Sequence, residues 1–133
     1  MVWTALTIGF LSLVSCSITR DQEDARAVAL RVHRQILAGD FTAIYNESAP
    51  RFKAVGSESE FVAGLKGFQE QLGLLRDQKE VAYQTGLDSK IGRTHVLVFD
   101  LEFDHGRARE SLMLVRSASG KMELWRLDVQ PLD

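Results

Sequence analysis

Few side chains in this sequence can carry chemistry, and their spacing keeps most of them apart. The single cysteine, Cys16, offers a nucleophile in its thiolate. One cysteine excludes an intrachain disulfide and any multi-cysteine zinc site. His33, His95 and His105 fall at no metal-ligand spacing with a carboxylate on the same face, so no metal site and no cofactor are expected. No G-x-S-x-G serine occurs. Gly64 and Gly67 lie within a helical pattern and lack the Lys-Ser or Lys-Thr of a phosphate-cradling loop. What remains is a group of polar and aromatic residues for a pocket: Glu110, Tyr45, Tyr83, His33 and Trp125. A carboxyl group tuned by burial serves as a general acid or base, and a tyrosine beside it serves as a hydrogen-bond donor.

The setting of Cys16 is distinctive. Residues 1–19 carry no charged side chain, and the first charge is Arg20. The apolar run from Val2 to Val14 is thirteen residues, too short to span a bilayer, which takes about 20 in helix. It has the length of an export-signal core and ends in Leu13-Val14-Ser15-Cys16. That string resembles the bacterial lipobox, in which a small residue precedes a cysteine that is acylated and becomes the new N-terminus. The resemblance implies a signal peptide over 1–15, lipidation at Cys16 and a lipidated tether over 16–22. Ser17 after the cysteine resembles the outer-membrane default, which places the domain on the periplasmic side. No Lys or Arg precedes the apolar run, a departure from the usual signal.

The remaining chain, 23–133, has the length of one domain. Sixteen basic against eighteen acidic residues, a formal net charge of −2, give no footprint for nucleic acid. The apolar period is helical first. Ala25, Val28, Ala29, Val32 and Ile36 form one stripe from about Asp21 to Ala38, and Gly39 ends it. Asp40 caps a second helix through Phe41, Ile44 and Tyr45, which Pro50 closes. Ser57 and Glu60 form a capping box for a third helix with Phe61, Leu65, Phe68 and Leu72 on one side. Gly64 and Gly67 inside it imply close packing against a neighbour.

From Lys79 the period is two. Strands are expected at 79–86, 93–104, 107–116 and 121–130, with turns at His105-Gly106 and Ser119-Gly120. This register sets Asp104 opposite Arg107, Glu102 opposite Arg109, Phe99 opposite Leu112, Leu114 opposite Trp125 and Leu112 opposite Leu127. One face then carries Leu97, Phe99, Leu101, Phe103, Leu112, Leu114, Trp125, Leu127 and Val129, with Glu110 between Leu101 and Val129. The three helices must cover it. The other face is a charge ladder ending in an apolar strip of Val96, Val98, Met113, Val115 and Leu124, a candidate interface.

An α+β chain of three N-terminal helices on a curved, mainly antiparallel four-stranded sheet resembles the NTF2-like, cystatin-like cone. The residues behind the resemblance are Gly39-Asp40-Phe41, Phe52-Lys53, the helix from Ser57 to Leu72, and the closing strand Leu124-Trp125-Arg126-Leu127-Asp128-Val129. The family hosts enzymes, binding modules and assembly domains alike. Its ketosteroid-isomerase branch would want a tyrosine on the first helix, which is absent here. The expected protein is therefore an outer-membrane-anchored envelope lipoprotein with a non-catalytic binding or assembly domain. It would pair with itself or with an envelope protein through the outer sheet face. The alternative is a small-molecule pocket or an isomerase, dehydratase or hydrolase using Glu110 with Tyr45 or Tyr83, unless Glu110 is solvated or paired with Arg31 or Arg34.

Overall fold

The computed structural model describes residues 12–132, with side chains from Thr19 onward. Most of the apolar run before Val14, and the side chain of Cys16, lie outside the described residues. The described residues form four helices and then four strands. Helix α1 spans Ser12–Ala38, α2 Phe41–Glu47, α3 Pro50–Val55 and α4 Glu58–Leu72. Strands β1 (Leu75–Asp88), β2 (Gly92–Phe103), β3 (Gly106–Arg116) and β4 (Met122–Leu132) make an antiparallel meander in chain order.

Helix α1 starts nine residues before the expected Asp21 and runs unbroken through 16–22. Its apolar stripe is as expected: Ala25, Val28, Ala29, Val32 and Ile36 are all buried in one core with Leu97, Phe99, Leu101, Leu112 and Leu114. Gly39 takes φ +71°, the left-handed turn that ends a helix and costs a glycine little. The Asp40 side chain then accepts from Ala43 N, and that of Ser57 from Glu60 N, so both N-caps form, the second being the serine half of the expected capping box. Pro50 differs from expectation in one respect. It holds Ala49 extended, as it must, but it also opens α3 as that helix's first residue, where a missing N–H is no loss. Among the described residues the helices therefore number four, not three. Gly64 and Gly67 differ too: a Cβ at either would touch nothing within 4 Å, so no close packing explains them.

The β2–β3 turn is Asp104-His105, not His105-Gly106. Phe103 pairs with Gly106, and the whole β2–β3 ladder slides two residues from the predicted register. Leu97 now faces Leu112, Phe99 faces Glu110, Asp100 faces Arg109 and Glu102 faces Arg107. The α4–β1 junction causes the slide. Asp104 N and His105 N donate to Leu74 O and Leu72 O. The Asp104 carboxylate accepts from Leu74 N and pairs with Arg76. Gly106 lies so close to Leu72 that a Cβ there would stand 2.8 Å from its Cδ2. A slide of two leaves side-chain parity intact, so the predicted core residues of β2 and β3 are still buried.

The second hairpin holds a different correction. Leu112↔Leu127 and Met113↔Arg126 pair as expected, but Leu114 then meets Leu124 and Arg116 meets Met122. Trp125 is the extra residue of a β-bulge. Ala49 N donates to Leu124 O at 2.9 Å, fixing this point of the edge strand to the α2–α3 turn. The bulge reverses parity locally. Leu124, predicted on the outer face, is buried in the core, and Trp125, predicted in the core, is half-exposed.

Candidate functional site

The five predicted pocket residues occupy three places. In the first, α1 carries His33 and β3 carries Glu110 into the core, 3 % and 0 % exposed. His33 Nε2 stands 2.6 Å from Glu110 Oε1, and the imidazole meets Phe99 edge-on at 4.7 Å. Glu110 is thus neither solvated nor paired with Arg31 or Arg34; Arg31 forms its ion pair with Glu47 instead. His33 Nδ1 and Glu110 Oε2 have no protein partner. Beside Glu110 the interior holds only about 20 Å³ of open space, walled by Ile36, Phe41, Leu65, Phe68, Leu101 and Phe103. That is room for about one water molecule.

The second place is at the other end of α1. Tyr83 from β1 and His95 from β2 meet with the hydroxyl 2.7 Å from Nδ1. On the far side of the ring, Nε2 is 3.6 Å from Asp21 Oδ2. Asp21 is held in turn by Arg116, which also grips Asp24 and the Gly120 carbonyl. Burial pushes the His95 imidazole below its ordinary value; Asp21 opposes that shift, while Arg93 and Arg116 add to it. The Tyr83 phenol is pushed up, first by burial and then by the Asp21 charge. Tyr83 therefore serves His95, not Glu110. His95, Asp21 and Arg116 went unrecognised as a unit in the sequence. One signal was present: His95 shares strand parity with Leu97 and Phe99, which puts it on the core face.

The third place is a groove of about 640 Å³ between the α2–α4 segment and β4. Tyr45 lies here, its hydroxyl donating to Gly56 O at 2.9 Å and sharing Lys53 O at 3.2 Å. Phe52 and Phe61 pack edge-on at 5.3 Å beside it. The bulge turns Trp125 into the same groove, with the Arg51 guanidinium 5.6 Å above its ring. Met113 and Leu127 complete the apolar floor, and Glu60, Arg126 and Asp128 supply charge.

The predicted interface strip shrinks. Val115 and Leu124 are buried, which leaves Val96, Val98 and Met113 half-buried on the outer face. No group of three His, Cys, Asp or Glu side chains among the described residues has a metal-binding arrangement. No described helix is long and apolar enough to cross a membrane.

Neither the family models nor the curated proteins give a match to the sequence. Solved structures do match. A protein of Catenulispora acidiphila superposes with a TM-score of 0.62 at 13% identity, over 86% of this chain and 94% of that one. ActVI-ORFA of Streptomyces coelicolor superposes with a TM-score of 0.56 at 12% identity, over 83% of this chain and 96% of the other. The fold is α+β and NTF2-like, with helices packed on a four-stranded antiparallel sheet.

Proposed function

We propose that this chain is a lipid-anchored protein of the bacterial outer membrane whose NTF2-like domain binds an envelope protein partner in the aromatic groove. One contrast carries the binding reading. The interior beside Glu110 offers about 20 Å³, whereas the groove beside β4 offers about 640 Å³. Aromatic side chains with an arginine, here Trp125, Phe52, Phe61 and Arg51, are what the centres of protein interfaces favour. β4 is also an edge strand, so its backbone can pair with an added segment. Anchoring rests on Leu13-Val14-Ser15-Cys16 alone, with acyl chains contributing ~0.8 kcal/mol per buried CH₂.

Two experiments test the two halves separately. Palmitate labelling should mark the wild type and not Cys16→Ala, and the variant should leave the membrane fraction; an unlabelled wild type sinks the anchor. A photo-crosslinker at Val55, 87 % exposed on the groove rim, should capture one envelope protein, and Trp125→Ala should abolish the adduct. An adduct that persists in Trp125→Ala refutes the groove.

One observation favours a second reading. Glu110 Oε2 is buried, unpartnered and beside a space with room for about one water molecule, as an acid–base group that acts through a bound water would be. In that reading His33 takes the part the sequence offered to Tyr45 or Tyr83. A turnover that survives Glu110→Gln would exclude it.

A further inference from the structure

The side-chain contacts of α1 give the helix a direction along the sheet. Asp21 lies against His95 and Arg116, where β2 begins and β3 ends, and further along the helix His33 reaches Glu110, opposite Phe99. The start of α1 therefore points to the end of the sheet that carries the β1–β2 and β3–β4 turns. Cys16 is five residues before Asp21 on the unbroken helix, about 8 Å along its axis at ~1.5 Å per residue. Gly92, where the β1–β2 ladder closes on Asp88, is three residues before His95, about 10 Å at ~3.3 Å per residue. Cys16 and the hairpin tip thus project a similar distance past one level of the fold.

The tip has a shaped, mixed surface. Leu87 is 84 % exposed there. Asp88 Oδ1 accepts from Lys90 N at 2.7 Å and from Ile91 N at 3.1 Å, so this carboxylate is engaged by the turn backbone. Lys90 and Arg93 on the tip, and Lys121 beside the neighbouring turn, are exposed and form no ion pair among the described residues. Of the other carboxylates at this end, Asp21 and Asp24 are held by Arg116, which leaves Glu23 and Glu123. An exposed leucine among cations matches a phospholipid surface, where the acyl boundary takes the apolar side chain and the phosphates take the ammonium and guanidinium groups.

We infer that the β1–β2 tip docks in the headgroup layer of the bilayer, with Leu87 at the acyl boundary and Lys90, Arg93 and Lys121 on lipid phosphates. This placement rests on the anchor proposed above and adds an orientation to it. The short helical link from Cys16 leaves the domain standing on this end of its sheet. The β2–β3 turn then lies at the far end of β2, about 36 Å away at ~3.3 Å per residue.

The test uses the lipidated protein, purified from membranes and reconstituted in vesicles of phosphatidylethanolamine and phosphatidylglycerol. Acylation consumes the Cys16 thiol, so Ser89→Cys on the tip and His105→Cys at the far end each accept one environment-sensitive fluorophore. Quenching by a nitroxide-bearing lipid is expected for the Ser89→Cys label and not for the His105→Cys label. Adding Leu87→Asp, at an exposed position, should remove the quenching. Adding Lys90→Ser should shift the balance of docked to undocked tip about fivefold, the share of one cation near a lipid surface. Fluorophore taken up by the parent chain would reveal a free Cys16 thiol, which sinks the anchor and the docking together. With Cys16 acylated, an unquenched Ser89→Cys label, or quenching that persists with Leu87→Asp, overturns the docking alone. A label shielded from water yet unquenched by lipid would mark contact between copies of the chain and overturn it as well.

Discussion

Helix α1 is fastened to the sheet by a histidine at each end, and the two fastenings obey different physics. His33 meets a carboxylate directly, at 2.6 Å, and that carboxylate has no arginine on it. His95 meets a phenol at 2.7 Å, and its nearest carboxylate, Asp21, stands 3.6 Å away in the grip of Arg116. Both rings are equally buried, at 3 % and 1 % exposure. What differs between the two is the group each ring meets. At His95 burial holds the imidazole toward its neutral form; the Asp21 charge opposes that, and Arg93 and Arg116 add to it.

The largest test breaks the first fastening. Glu110→Leu should cost about 3–5 kcal/mol, because it leaves His33 buried without its partner. The double variant His33→Leu, Glu110→Leu should be more stable than Glu110→Leu alone in urea unfolding. Additive costs would show that the two groups are not coupled. A smaller loss is expected at the second fastening. Tyr83→Phe strips Nδ1 of its partner and should cost about 1–3 kcal/mol, with the fold retained. The smallest effect sharpens the contrast through pH. The folded His95 titrates below its ordinary 6.5, while in the unfolded chain it takes up a proton near that value. Its contribution to stability is then complete above pH 6.5 and declines as the pH falls through it. Urea midpoints should fall between about pH 7.5 and pH 5.5, and His95→Gln should flatten that fall. An unchanged slope in His95→Gln would assign the effect to other groups.

Most of this fold was legible because it rests on periodicity. The α1 stripe, both helix caps and the core parity of β2 and β3 follow from side-chain type and spacing. The two-residue slide in the first hairpin was not legible, since its cause is a tertiary hold on Asp104 by Leu74 and Arg76. The bulge was not legible either. Nothing in Leu124-Trp125 announces that Ala49, far back in the chain, will bond to Leu124 O. Of the candidate site, Glu110 and His33 could be placed by face, but Tyr45, Tyr83 and Trp125 could not be assigned a common neighbourhood. Parity locates Tyr83 on a face and not along it; the bulge turned Trp125 out of its expected face, and Tyr45 sits on α2, where strand parity does not apply.

The bulge at Trp125 has a consequence for how such a chain can change. Met122 and Leu124 answer to the core, and Trp125 next to them answers only to the groove. In a regular strand, retuning one face constrains the alternation of the whole segment. Here the extra residue divides the strand into two neighbourhoods with separate steric demands. Substitutions at the groove can explore new ligands while the hydrophobic packing a single residue away stays as it is.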